Sequence, residues 1–83
     1  MNLVIHEGFH SLDDSLGEAS VNDQSFNAAR NADDPGLDPY ESQPGAAGQE
    51  ETYAESASRY YGGDPNDAQD HPNLHGYWDS DPL

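Results

Sequence analysis

The chain has 83 residues, enough for one domain, and a formal net charge of -15 from 17 acidic residues and two arginines. This charge argues against direct binding to nucleic acid, because the chain would repel phosphate groups. The sequence has no cysteine, which excludes disulfides and thiolate zinc sites. Only 11 residues are Leu, Ile, Val or Phe, a proportion typical of disordered chains, so a divalent cation that relieved charge repulsion would favour folding.

The first predicted element is a helix over residues 3–16, which contains the motif H-E-x-x-H. Residues four apart share a helix face, so His6 and His10 can bind one metal ion. Glu7 follows His6 directly and can act as a general base toward a water molecule on that ion. The motif therefore predicts a zinc site of the peptidase type. A neighbouring face is apolar at helical spacing: Ile5, Phe9, Leu12 and Leu16.

The next segment combines a short helix with a long acidic loop. A helix is predicted over residues 22–31, with Asn22 as its N-cap. Residues 32–48 are rich in proline, glycine and aspartate, and this composition predicts a solvated loop.

A second strong helix is predicted over residues 49–61, ending at Gly62. Ala54 and Ser58 are small, so another helix can approach that face closely. The same face carries Glu51 and Glu55, whose like charges four residues apart repel unless a metal or a histidine N–H lies opposite them.

Catalytic zinc generally takes three protein ligands and a water molecule, so the two histidines need a third partner. Glu51 is the expected ligand because it lies on the other strong helix, on its small-residue face. Glu55, one turn later, would accept a hydrogen bond from the free ring nitrogen of a zinc-bound histidine. Asp13 and Asp14 are alternatives for that supporting role.

The tail, residues 62–83, contains an apolar anchor of Leu74, Tyr77 and Trp78 that is expected to pack on the core. His71 and His75 are also four apart, but proline and glycine interrupt them. This interruption favours packing of the tail over a second metal site.

Three segments resemble one family, the anthrax lethal factor-like zinc peptidases, which include the Pro-Pro endopeptidases. Residues 6–14 read HEGFHSLDD, close to the family's H-E-x-x-H-x-x-D-D run. Residues 51–57 read ETYAESA, similar to its E-x-[FY]-A-E-x-[FA] helix. Residues 71–77, HPNLHGY, are similar to the segment that follows that helix.

The resemblance implies zinc held by His6, His10 and Glu51, with Glu7 as the base and Glu55 beside a histidine. The implied fold is mainly α: the helical half of a zincin-like domain with long loops, lacking the usual N-terminal sheet. The family also places a tyrosine seven residues before the glutamate ligand, where it stabilises the oxyanion. Pro44 occupies that position here, and the nearby Tyr40 is the candidate substitute.

The resemblance also implies a peptide or protein substrate, with a longer chain or a partner protein supplying the missing sheet. No signal peptide or membrane-spanning run is apparent, so both a secreted and a cytoplasmic location stay open, and no membrane partner is expected. The alternative is a non-catalytic acidic binding protein, such as a virion or accessory protein or a nucleic-acid mimic, that docks on a larger partner.

Overall fold

The computed structural model describes residues 3–83, which form six α-helices and no strand. The mainly helical fold class is therefore confirmed for this part of the chain. The radius of gyration is 11.1 Å, close to the ~12 Å of a compact chain of this length, in contrast to the disorder that composition alone suggests. The helices are α1 Leu3–Ser15, α2 Ala19–Asn22, α3 Gln24–Asp33, α4 Gly45–Tyr61, α5 Asp67–Asp70 and α6 Pro72–Asp79.

The long helix α4 forms the centre of the fold, and α1 packs along it. Ala54 and Ser58 are buried, in agreement with the prediction that this face admits a close neighbour. On the opposite side of the core, α3 packs against α6. The apolar core between these elements is mostly aromatic and consists of Phe26, Tyr53, Ala57, Leu74, Tyr77 and Trp78.

Polar side chains hold the ends of the core helices in place. The N-cap of α3 is Asp23, whose carboxylate accepts hydrogen bonds from the backbone N–H groups of Ser25 and Phe26 at 2.9 and 3.2 Å. The prediction of Asn22 as the cap is therefore wrong by one residue, because Asn22 belongs to the short helix α2. The Asp23 carboxylate also accepts a hydrogen bond from the Tyr77 hydroxyl at 2.7 Å, so it joins α3 to α6.

The predicted loop over residues 32–48 is shorter than expected. Helix α3 continues to Asp33, a 3-10 turn follows over Asp34–Gly36, and α4 already begins at Gly45. The predicted end of α4 is correct, and Gly63 follows it with φ +76°, a conformation that glycine adopts without strain.

The tail packs as predicted. Leu74, Tyr77 and Trp78 lie on α6 and are buried, and the Trp78 indole N–H donates to the Ser56 hydroxyl at 2.8 Å. The residues described include no helix that combines the length and apolar character needed to cross a membrane.

Candidate metal centre

The histidines of α1 lie against the acidic face of α4. The Nε2 atoms of His6 and His10 are 3.0 Å apart. A carboxylate oxygen of Glu51 lies 3.1 Å from the His10 Nε2 atom, and its other oxygen lies 3.7 Å from the His6 Nε2 atom. The structure thus brings the three predicted ligands together across the α1–α4 interface.

These three side chains fit a zinc ion. One ligand atom from each can be chosen so that all lie within 4.8 Å of one another. Zinc bonds of about 2.0–2.1 Å in tetrahedral geometry separate neighbouring ligand atoms by roughly 3.3 Å, and the observed separations lie on either side of that value. Two imidazole nitrogens and one carboxylate oxygen also form a known donor set of catalytic zinc sites.

Glu55 supports the His6 ring from the other side. Its Oε1 atom lies 2.8 Å from the His6 Nδ1 atom, the ring nitrogen other than the one beside His10 and Glu51. A metal on Nε2 would leave Nδ1 as the nitrogen that faces this carboxylate. The His6 side chain is only 9% exposed, whereas those of His10 and Glu51 are 29% and 33% exposed. The centre is accordingly buried on the His6 side and partly open to solvent on the side of His10 and Glu51.

A cavity of about 320 Å³ adjoins the centre. Tyr40 lies at this cavity, and its side chain is largely exposed. Glu7 is exposed on α1 and is not among the residues that line the cavity. The cavity lining consists of His6, Asp38, Tyr40, Glu51 and Glu55.

Asp13 has a different role from the one expected. Its two carboxylate oxygens accept hydrogen bonds from the backbone N–H and the hydroxyl of Ser20, at 2.8 and 2.5 Å. These hydrogen bonds join the end of α1 to α2, because the turn after α1 brings Ser20 back to Asp13. The histidine support comes from Glu55 alone among the predicted carboxylates.

Sequence reasoning missed the buried carboxylate of Glu41, which is 1% exposed and forms a group with Asp38 and Glu55. Burial raises the pKa of Glu41 to about 7, although pairing with Arg59 acts in the opposite direction. The two guanidinium–carboxylate contacts measure 2.8 and 3.1 Å. Burial lowers the pKa of Arg59, but its pairing with Glu41 and Asp67 outweighs burial and leaves that pKa raised. A glutamate within a predicted acidic loop gives no sequence signal of burial.

No protein-family model, curated protein or solved structure matches the chain. The likeness to the lethal factor-like peptidases stays a prediction from the motifs. The function must therefore be argued from the geometry of the site.

Proposed function

We propose that the chain is a zinc-dependent metallopeptidase module that hydrolyses peptide bonds. The observation that carries the proposal is the convergence of His6, His10 and Glu51 from two helices, with Glu55 placed to orient one histidine. A chance H-E-x-x-H motif would not require a carboxylate from α4 opposite both histidines.

Each residue has a specific role in this proposal. His6, His10 and Glu51 would hold the zinc ion, which would lower the pKa of a bound water molecule and polarise a substrate carbonyl. Glu7 follows His6 directly in the motif and would accept the proton that such a water loses and pass it to the leaving amine, although its exposed side chain does not line the cavity. Glu55 keeps the His6 ring in the orientation and tautomer that metal binding needs.

The cavity beside the centre accommodates the substrate backbone. Tyr40 is one of the residues that line this cavity, and in this proposal its phenol hydroxyl donates a hydrogen bond to the negative charge that develops on the attacked carbonyl oxygen. Its place in the cavity lining beside His6 and Glu51 supports this role. The substrate also needs a strand to pair with, and a longer chain or a partner protein supplies it in this proposal.

Metal analysis of the purified chain tests the zinc site. We expect about one zinc per chain, and a large loss in both His6→Ala and Glu51→Gln, because catalytic zinc requires three protein ligands. The matched control is Glu50→Gln, which removes the same charge from the neighbouring position and should retain zinc. Zinc retained by Glu51→Gln would refute the ligand assignment, and a parent chain without zinc would favour the acidic binding protein instead.

A library of fluorescence-quenched peptides tests catalysis. Glu7→Gln should bind zinc as the parent does yet lose peptide cleavage, because an amide cannot accept the proton. Equal cleavage by the parent and Glu7→Gln would show that the activity belongs to a contaminant or to another base. A zinc-loaded parent that cleaves no member of the library would define a non-catalytic zinc protein.

A further inference from the structure

One face of α4 forms a seat for the segment Asp38–Gln43. Gly48 and Thr52 lie four residues apart on this face, and Arg59 follows two turns later. A Cβ atom on Gly48 would lie 1.8 Å from the Gln43 carbonyl oxygen, so the segment rests directly on the helix backbone there. The hydroxyl of Thr52, one helical turn after Gly48, lies 2.8 Å from the Glu41 carbonyl oxygen, so a second backbone carbonyl group of the segment faces α4.

Both arginines of the chain also form hydrogen bonds with this segment. Arg30 reaches across from α3, and its Nη2 group donates to the carbonyl oxygens of Glu41 and Gln43 at 2.6 and 3.0 Å. Its Nε group donates to the Thr52 hydroxyl at 2.9 Å. Arg59 pairs with the Glu41 carboxylate through two nitrogens. In a chain with 17 acidic residues, both arginine side chains thus contact this short segment, and Arg59 contacts Asp67 as well.

The seated segment carries the two cavity residues that lie outside α1 and α4, Asp38 and Tyr40. The Tyr40 side chain is 71% exposed, so little packing fixes its position. Two hydrogen bonds within the segment hold its backbone. The Gln43 side-chain amide donates to the Tyr40 carbonyl oxygen at 2.7 Å, and the Glu41 backbone N–H donates to the Asp38 carboxylate at 2.8 Å. The position of the Tyr40 backbone therefore depends on how the segment contacts α4.

We propose that Arg30, Gly48 and Thr52 are positioning residues that hold Tyr40 and Asp38 at the mouth of the metal cavity. The proposal rests on the proposed function, since it assigns these residues to substrate placement at the same centre. None of the three belongs to the His6, His10 and Glu51 group, and they contact the segment through its backbone carbonyl oxygens. Displacing the segment should therefore leave metal binding intact and move Tyr40 away from the metal.

Gly48→Ala is the direct perturbation, because the added methyl group occupies the place of the Gln43 carbonyl oxygen. The matched control is Gly76→Ala, which adds the same methyl to an open position on α6. Thr52→Val is a milder variant that removes the hydroxyl but keeps the shape, and Thr52→Ser restores the hydroxyl. If Gly48→Ala fails to fold, the Thr52 pair decides the question.

Two measurements separate the positioning role from the metal site. Cobalt(II) is first added to each variant, and the paramagnetic shift of the Tyr40 ring is measured by NMR, with Tyr40→Phe for assignment. We expect equal cobalt binding throughout and a much smaller Tyr40 shift in Gly48→Ala and Thr52→Val than in Gly76→Ala and Thr52→Ser. Cobalt bound with an unchanged Tyr40 shift would overturn the positioning role.

Hydrogen exchange of metal-free protein supplies the second measurement. The backbone amides of residue 38 and residues 40–43 should exchange at least roughly tenfold faster in Thr52→Val than in Thr52→Ser, because the variant loses the hydroxyl that contacts the Glu41 carbonyl oxygen and accepts from Arg30. Equal exchange would refute the seat itself. If the parent binds no cobalt while exchange follows this pattern, the proposed function fails and the seat is a structural feature only.

Discussion

Glu41 offers a quantitative test of how burial acts on this acidic chain. Its carboxylate is almost fully buried against Arg59, and burial raises its pKa from 4.5 to about 7. The substitution Glu41→Gln keeps an oxygen that can accept a hydrogen bond from Arg59 but removes the titrating group. A comparison of the two proteins across pH therefore isolates the free energy that this one carboxyl group contributes.

The sign follows from proton binding. Between pH 4.5 and about 7 the folded state holds the Glu41 proton more tightly than the unfolded state does. The stability from this group is fully present below the unfolded pKa and is lost as pH rises through the folded pKa. Linkage converts a pKa difference of this size into about 3 kcal/mol for a group this deeply buried.

Urea unfolding followed by the fluorescence of Trp78, the single tryptophan, provides the assay. From about pH 5 to about pH 8, the free energy of unfolding of the parent should fall by about 2.5 kcal/mol more than that of Glu41→Gln, because a small part of the effect is already lost at pH 5. Glu50→Gln controls for the loss of one negative charge. Parallel profiles for the parent and Glu41→Gln would show that Arg59 keeps the carboxylate ionised throughout and that the pKa is not raised.

Two further predictions concern the metal and the core. Zinc at about 100 times its dissociation constant should raise the free energy of unfolding of the parent by roughly 2.7 kcal/mol. The same zinc concentration should change that of His6→Ala very little, and equal gains for both proteins in urea unfolding would contradict the site. Phe26→Ala should cost about 3–5 kcal/mol in the same assay because Phe26 is fully buried among aromatic rings. Leu83→Ala, at an exposed position, should change stability little, and a similarly small effect of Phe26→Ala would place the core elsewhere.

The helices that carry strong periodic patterns could be predicted from the sequence, and so could the approach of Glu51 to the histidines. Both follow from local spacing: the i, i+4 register of α1 and the small-residue face of α4. The role of Asp13 could not be predicted from its position on α1. That position allows contact with a histidine and equally allows the hydrogen bond to Ser20 that the structure shows. Local spacing gives the face of a residue but not its distant partner.

The seat of the segment Asp38–Gln43 depends on partners of another kind. Arg30 binds backbone carbonyl oxygens. Because every residue has such an oxygen, the order of side chains in the sequence does not indicate which ones an arginine will bind. Gly48, near the start of a helix, resembles a loop glycine until the Gln43 carbonyl oxygen is placed against it. Burial of Glu41 follows from these contacts and cannot be predicted from an acidic, proline-rich stretch.

Both arginines are bound to groups other than Glu51, so the charge of Glu51 is left for a metal ion to balance. Arg59 is paired with Glu41 and Asp67, and Arg30 is bound to Thr52 and to backbone carbonyl oxygens. The carboxylate of Glu51 is instead opposite two histidines, at the interface where α1 meets α4. Most residues of α1 are exposed, and only His6 and Asp13 of this helix are buried. A zinc ion bound there would supply the missing positive charge and join α1 to α4 through three bonds, so the zinc-dependent part of the stability should be the docking of α1.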